Sequence, residues 1–165
     1  MAVEEHRAHA PKHVTCAVIT ISSSRTEASD DSGKMLASLL REAGHTVGYY
    51  SIVRDDGPAI VQAVEAAARA CDVIVTNGGT GISRDDVTIQ TLESKLDRAL
   101  PGFGELFRML SFQAIGSPAM LSGAMAGVYK GRLLFCLPGS PEAVALAAKS
   151  LILPELGHAV GVMRR

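Results

Sequence analysis

Three apolar runs rich in β-branched residues, at positions 14–21, 45–53 and 73–75, are separated by stretches whose apolar residues recur every three or four positions. A short apolar run bounded by turn residues suits a strand buried on both faces, as in a parallel sheet. Parallel neighbours need a long crossover, usually a helix, and that crossover is right-handed. The alternation therefore predicts an α/β fold: a doubly wound, mostly parallel sheet with helices on both faces and one antiparallel strand.

The helix signals agree. Asp30, Asp31 and Ser32 can cap a helix whose inner face carries Met35, Leu36, Leu39 and Leu40, and Gly44 ends it. Pro58 suits the first turn of a second helix, with Ile60, Val61, Val64, Ala67 and Ala68 facing inward. Residues 87–96 read as a short helix, and Pro101 opens another that runs through Phe107 and Leu110 towards Gly116. Residues 127–129 and 132–137 read as two strands about a hairpin turn at Lys130 and Gly131, which supplies the antiparallel strand. The last helix follows Pro141, with a kink expected at Pro154. Residues 1–12 are expected to be a loose tail, and residues 13–165 a single domain without repeat or linker.

Composition removes several function classes. With a net charge of −1 and no block of Lys or Arg, the chain lacks the basic surface that a sequence-independent grip on nucleic acid needs. The longest apolar stretches are broken by Gly, Pro and charge, so no membrane span and no apolar signal core are expected. Cys16, Cys71 and Cys136 lie in or beside apolar runs without CxxC spacing and read as small buried hydrophobes, and the five histidines are scattered, so no zinc site is expected. Reduced thiols without a signal point to the cytoplasm.

In an open α/β sheet, ligands bind outside the carboxyl ends of the strands. Four loops fall there: Ser22 to Thr26, Asp55 and Asp56, Gly78 to Asp86, and Pro138 to Pro141. Gly78, Gly79, Thr80 and Gly81 would let backbone N–H groups approach an anion, with a following helix adding its positive end. No Walker A lysine is present, so this is not a usual P-loop. Asp55, at the end of the neighbouring strand, and Asp86, just past the loop, suit Mg²⁺ bridged to phosphate; Asp56, before Gly57 and Pro58, is as suited to capping as to binding. Asp85 beside Arg84 reads as a surface pair. Glu105 and Arg108, at i and i+3, read either as a helix-surface ion pair or as residues facing the ligand. The apolar stretch 107–128 and the last helix suggest surface buried between subunits.

These motifs, taken in order, resemble the MoaB/MogA family of molybdenum-cofactor biosynthesis proteins. The resemblance rests on Val18, Ile19 and Thr20 with Arg25 and Thr26; on Asp31, Ser32 and Gly33; and on Thr76 through Gly81 followed by Asp86, Val87 and Thr88. Pro101, Gly102, Phe103, Gly104 and Glu105 with Arg108, and Leu137 through Pro141, complete it. It implies a trimer or hexamer that binds molybdopterin, uses Mg²⁺ and ATP to adenylylate it with release of pyrophosphate, and passes the product to other cofactor-assembly enzymes. It implies Asp55 and Asp86 as catalytic and metal-holding residues. Gly78, Gly79, Thr80, Gly81, Ser22, Arg25, Glu105, Arg108, Ser122, Pro138, Gly139 and Ser140 are the candidates for holding phosphate and molybdopterin.

Three positions depart from the family pattern: Ser23 stands where many members carry Asp, Asp85 where many carry Arg, and Gly123 where many carry Arg. Two missing arginines would weaken an anion site. Arg84 is placed to substitute for one, and Lys130 or Arg132 for the other; Gly123→Arg would then be expected to raise affinity. A non-catalytic molybdopterin-binding paralogue or assembly partner is the alternative. The molybdate-insertion enzyme, built on a related domain, would need further domains than 165 residues hold.

Overall fold

A computed structural model describes Glu4 and residues 7–165. Strand β1 (Thr15–Ile21) leads through α1 (Asp31–Glu42) to β2 (Thr46–Val53), then through α2 (Gly57–Ala70) to β3 (Val73–Asn77). The second half holds α3 (Thr88–Glu93), β4 (Arg98–Ala99), α4 (Pro101–Ile115), a 3-10 turn (Ser117–Leu121), β5 (Met125–Tyr129) and β6 (Arg132–Leu137). The chain closes with α5 (Pro141–Ala147), a π-helical stretch (Ala148–Ile152) and α6 (Leu153–Met163).

The strands form one sheet in the order β2-β1-β3-β6-β5-β4. Neighbours from β2 to β6 pair parallel, and β5 runs antiparallel to both β6 and β4. One strand alone opposes the rest, as expected. Alternate residues of β1 enter two cores. Cys16 and Val18 pack with Leu36 of α1, Phe107 of α4, Val144 of α5 and Leu156 of α6. Ala17, Ile19 and Ile21 pack with Ile60 and Val64 of α2 and Leu92 of α3. Helices therefore cover both faces, and the sheet is doubly wound.

Some boundaries differ from the sequence reading, each for a physical reason. Strand β3 runs on through Thr76 and Asn77, because both are fully buried and pair with Ile19 and Thr20 on one side and Cys136 and Leu137 on the other. β2 begins at Thr46 rather than His45, whose Nδ1 instead accepts a hydrogen bond from Val14 N at 3.3 Å. The helix expected over 87–96 holds only residues 88–93. β4 was not expected: both its residues are exposed, and it exists because β5 offers Gly127 and Val128 as partners.

The C-terminal helices correct the expectation that no segment is long and apolar enough to cross a membrane. Pro141–Met163 is continuous over 23 residues with mean hydropathy 1.3. Pro154 does not break it, since the π-helical stretch just before widens the turn where the proline ring would meet a carbonyl. Its inner residues Val144, Ala147, Ala148, Ile152, Leu156 and Val160 are buried in the core, as in the central helix of a globular domain. The tail is tied at two points: Ala10 and Pro11 lie against Gly157 and Gly161, and Arg7 pairs with Glu155.

Candidate functional site at the carboxyl end of the sheet

The chain enters at β1, winds outward to β2, then returns to β3 on the other side. β1 and β3 are therefore the switch point, where loops diverge and leave a crevice. The loop after β1 (loop 1, residues 22–26) and the loop after β3 (loop 3, residues 78–86) leave from these two strands. The loops after β2 (loop 2, Asp55 and Asp56) and after β6 (loop 4, residues 138–141) flank them.

Direct contacts bind the four loops together. Ser23 donates to Asp55 Oδ2 through both N and Oγ at 2.8 Å, and Asp55 N donates back to Ser23 Oγ at 3.1 Å. Gly78 has φ +101°, and a Cβ there would lie 2.2 Å from the Ile21 carbonyl oxygen, so only glycine fits between loops 1 and 3. Gly139 of loop 4 packs 3.2 Å from Gly78 Cα, measured from an added Cβ. Arg25 spans loops 1 and 4: its Nη2 donates to Gly139 O at 3.0 Å and its Nη1 to Ser32 Oγ at 2.5 Å. Ser22 Oγ accepts from Arg25 N at 3.1 Å and shapes loop 1.

The glycine loop offers donors. Gly78 N is used by Leu137 O at 2.9 Å. The N–H groups of Gly79, Thr80 and Gly81 make no hydrogen bond within the described residues. The following helix does not add its positive end as expected. It is six residues long, and Thr88 spends its own N–H on Gly79 O at 3.0 Å and its hydroxyl on Gly78 O at 2.9 Å. The loop is thus braced from below while its three amides stay unpaired among the described residues.

Two carboxylates border the open amides. A Cβ on Gly79 would lie 3.2 Å from Asp55 Oδ1, and one on Gly81 would lie 2.7 Å from Asp86 Oδ2. Asp86 Oδ2 is held by Ser83 N at 2.9 Å, which leaves Oδ1 uncommitted. Asp56 Oδ2 instead caps α2 through Ala59 N at 3.0 Å, which settles its role as structural. No group of three His, Cys, Asp or Glu able to hold a metal occurs among the described residues. Two carboxylates with the rest of the shell from phosphate and water is the manner in which Mg²⁺ is usually bound, so the donor set fits that ion.

Other candidates fall on two sides of the loop. A cavity of about 370 Å³ lies beside loops 1 and 2, lined by Ser22, Ser23, Arg25, Tyr50 and Arg54. A second, of about 360 Å³, is lined by Glu105, Arg108, Gly123 and Ala124, on the side where Gly123 meets Thr80. Glu105 and Arg108 form no ion pair; Arg108 Nη1 donates to Ala124 O at 3.3 Å, and both side chains face this second cavity. Ser122 adjoins Gly123, and Pro138 precedes Gly139, so both stand at the rim of the loop cluster. Ser140 Oγ caps α5 through Ala143 N at 3.2 Å. Arg84 and Asp85 are exposed and form no ion pair with each other.

The expected substitutes for a missing arginine are not available. Lys130 pairs with Glu65 at 2.8 Å, and Arg132 with Asp72 at 3.4 Å, both at the far end of the sheet. Nor can an arginine be restored at 123, because a Cβ there would lie 1.9 Å from the Thr80 carbonyl oxygen. Gly123 is thus a packing requirement of this glycine loop, which corrects the expectation that Gly123→Arg would improve binding.

Sequence reasoning named Asp30 and Ser32 as caps and Thr20 and Asn77 within motifs, but missed that they meet beneath the loops. Asp30 is fully buried and accepts from Thr20 Oγ1 at 2.8 Å, from Gly33 N at 3.1 Å and from the Tyr50 hydroxyl. Burial and then the bond to Asp30 push the Tyr50 hydroxyl pKa up, so it keeps its proton and stays a donor. The available signal was the polar endings of two otherwise apolar strands, Thr20 and Asn77.

A doubly wound α/β domain whose switch-point loops hold unpaired amides beside two carboxylates has the form in which open α/β sheets bind their ligands, outside the carboxyl ends of the strands. Residues 17–158 match the family model described as a probable molybdopterin binding domain, and the chain belongs to that family. Molybdenum cofactor biosynthesis protein B of Bacillus cereus is 53% identical over 161 residues, covering 96% of this chain and 95% of that protein. The protein of the same name from Bacillus subtilis is 46% identical over 168 residues, covering 100% and 99%. Among solved structures, a molybdenum cofactor biosynthesis protein B superposes with TM-score 0.91 at 51% identity, covering 95% of this chain and 99% of that one. The tungsten cofactor synthesizing protein MoaB from Pyrococcus furiosus superposes with TM-score 0.86 at 36% identity, covering 94% and 100%.

Proposed function

We propose that this protein acts in molybdenum cofactor biosynthesis as a Mg²⁺- and ATP-dependent adenylyltransferase for molybdopterin. The carrying observation is the three amides of Gly79, Thr80 and Gly81, unpartnered among the described residues and set between Asp55 and Asp86. Amides with no internal partner are preorganised donors for phosphate oxygens and need no rearrangement when charge develops on them.

In this reading the terminal phosphate oxygen of molybdopterin attacks the α-phosphorus of ATP. A new P–O bond forms there as the bond to the departing pyrophosphate breaks. The open amides of loop 3 hold the phosphoryl oxygens, and loop 4 closes over them from Gly139. Ser23 orients Asp55 through two hydrogen bonds to Oδ2, leaving Oδ1 turned toward Gly79. Asp55 and Asp86 would hold Mg²⁺, whose charge offsets that of the phosphates. Positioning and charge stabilisation suffice for such a transfer.

The test is pyrophosphate release with ATP, Mg²⁺ and molybdopterin all present, with loss of ATP binding when Mg²⁺ is chelated. A second reading, a binding paralogue without turnover, is favoured by one observation: Arg84 is the only cation of loop 3, and neither Lys130 nor Arg132 is free to help. Molybdopterin bound without pyrophosphate release would establish that second reading.

The protein is also proposed to self-associate as a trimer or hexamer. Leu106, Met109, Phe112 and Ile115 are exposed around α4, between 47% and 62% accessible, and Met120 and Leu121 just beyond it are exposed too. Apolar patches of this kind mark interaction surfaces. Sedimentation is expected to show no stable monomer at micromolar concentration.

A further inference from the structure

Beneath the loops, five side chains close a ring. Arg25 Nη1 donates to Ser32 Oγ at 2.5 Å, and Ser32 Oγ donates to Asn77 Oδ1 at 3.0 Å. Asn77 Nδ2 donates to Thr20 Oγ1 at 3.0 Å, and Thr20 Oγ1 donates to Asp30 Oδ2 at 2.8 Å. Asp30 Oδ1 then faces Arg25 Nη1 again at 3.8 Å. Each hydroxyl has one proton to give, so the direction of donation is fixed around the ring. It starts at a cation and ends at an anion.

The ring ties together β1, the start of α1, the end of β3 and loop 1. Asn77 is the residue before Gly78, and the second arm of Arg25 holds Gly139. The positions of loops 3 and 4 therefore depend on the orientation of one guanidinium. We propose that Arg25 is a strap and Asp30 its positioning residue: Arg25 fixes Gly139 against Gly78 and does not itself grip the substrate phosphate. Asp30 is fully buried, and Arg25 is the only cation paired with it among the described residues. If Arg25 swung out to a phosphate, it would leave that carboxylate buried without its counter-charge, which is strongly unfavourable. A planar fork is also what two acceptors on different elements require, and an ammonium does not supply one.

The proposal deepens the adenylyl-transfer reading and rests on it for its kinetic arm alone. The experiment compares the full-length parent with Arg25→Lys, Arg25→Gln and Asp30→Asn. Amide hydrogen exchange is measured at Asn77 and Gly78, at the start of loop 3, and at Ala143 and Val144, whose N–H groups are held by Ser140 of loop 4, and kcat and KM for ATP are measured by pyrophosphate release. The expected result is faster exchange in both segments for Arg25→Lys as well as Arg25→Gln. The expected kcat loss is on the order of 10²-fold, as for small misplacements of a reacting group, with KM changed by less than about threefold. Arg25→Gln combined with Asp30→Asn is expected to cost no more than Arg25→Gln alone. Unchanged exchange in Arg25→Lys, with KM raised in Arg25→Gln and kcat intact, would overturn the strap and make Arg25 a substrate ligand. If Asp30→Asn fails to fold, Arg25→Lys alone decides. If the parent releases no pyrophosphate, adenylyl transfer fails while the exchange data still decide the strap.

Discussion

The same four parallel strands end in two very different ways. At their amino ends polar groups are closed upon one another. Asp72 accepts from Thr15 N at 3.0 Å, from Arg132 at 3.4 Å and from Arg164 at 2.6 Å, and His45 accepts from Val14 N. At their carboxyl ends the loops hold each other in place, yet leave three amides and carboxylate oxygens unspent. An end whose hydrogen bonds are complete adds stability; an end whose hydrogen bonds are incomplete in a rigid frame is prepared for a ligand.

The contrast can be broken from either end. The largest effect is expected for Asp55→Ala, which should reduce pyrophosphate release by two or more orders of magnitude while the melting temperature changes little, on the scale seen for lost transition-state contacts. Its neighbour provides the control: Asp56→Ala should cost about 1 kcal/mol of stability through the lost cap of α2 and spare the rate. Next is Gly123→Ala, which pushes a methyl into the Thr80 carbonyl and should destabilise by about 1–3 kcal/mol with weaker molybdopterin binding. A variant as stable and as tight as the parent would show that the loop can yield there. Asp72→Ala should cost about 1–3 kcal/mol in denaturant melts through its unpaired partners, leaving kcat and KM at parent values.

The smallest effect is one of pH. Burial, and then the nearby His13, lower the pKa of His45 in the folded state. The unfolded chain therefore binds the proton more readily. The contribution of His45 is complete above its unfolded value near 6.5 and is lost as pH falls from there toward the lower folded value. Its Nδ1 must also be unprotonated to accept from Val14 N. The melting temperature should drop by on the order of 1–2 °C more between pH 7.5 and 5.5 in the parent than in His45→Gln. Equal slopes would remove His45 from the account.

Much of this was legible in the sequence. The β-branched runs gave three of the four parallel strands, the hairpin gave the fourth, and turn residues at their ends marked all four loops. The illegible parts share one cause: they depend on neighbours remote in sequence. β4 is two exposed residues that become a strand only beside β5. Gly123 looks like a lost arginine until Thr80 is seen against it. Asp30 looked like a helix cap, which it is, but its second oxygen serves Thr20 and Tyr50 from two other strands. Arg25 entered as a candidate for holding phosphate by resemblance, and nothing local hints that Gly139 lies within its reach.

The widened turn at Ala148–Ile152 has a consequence for the length of this chain. A turn of this kind holds one residue more than its α-helical counterpart, as if a single amino acid had been inserted without lengthening the helix on either side. Deleting one residue there should therefore leave a regular α-helical turn with the phase kept on either side, so that Leu156 and Val160 still face the sheet and Glu155 still stands opposite Arg7. The cost would fall on Pro154, whose ring the widened turn accommodates. A deletion further on, where no extra residue is held, would instead turn everything beyond it by about 100° and carry Val160 off the sheet.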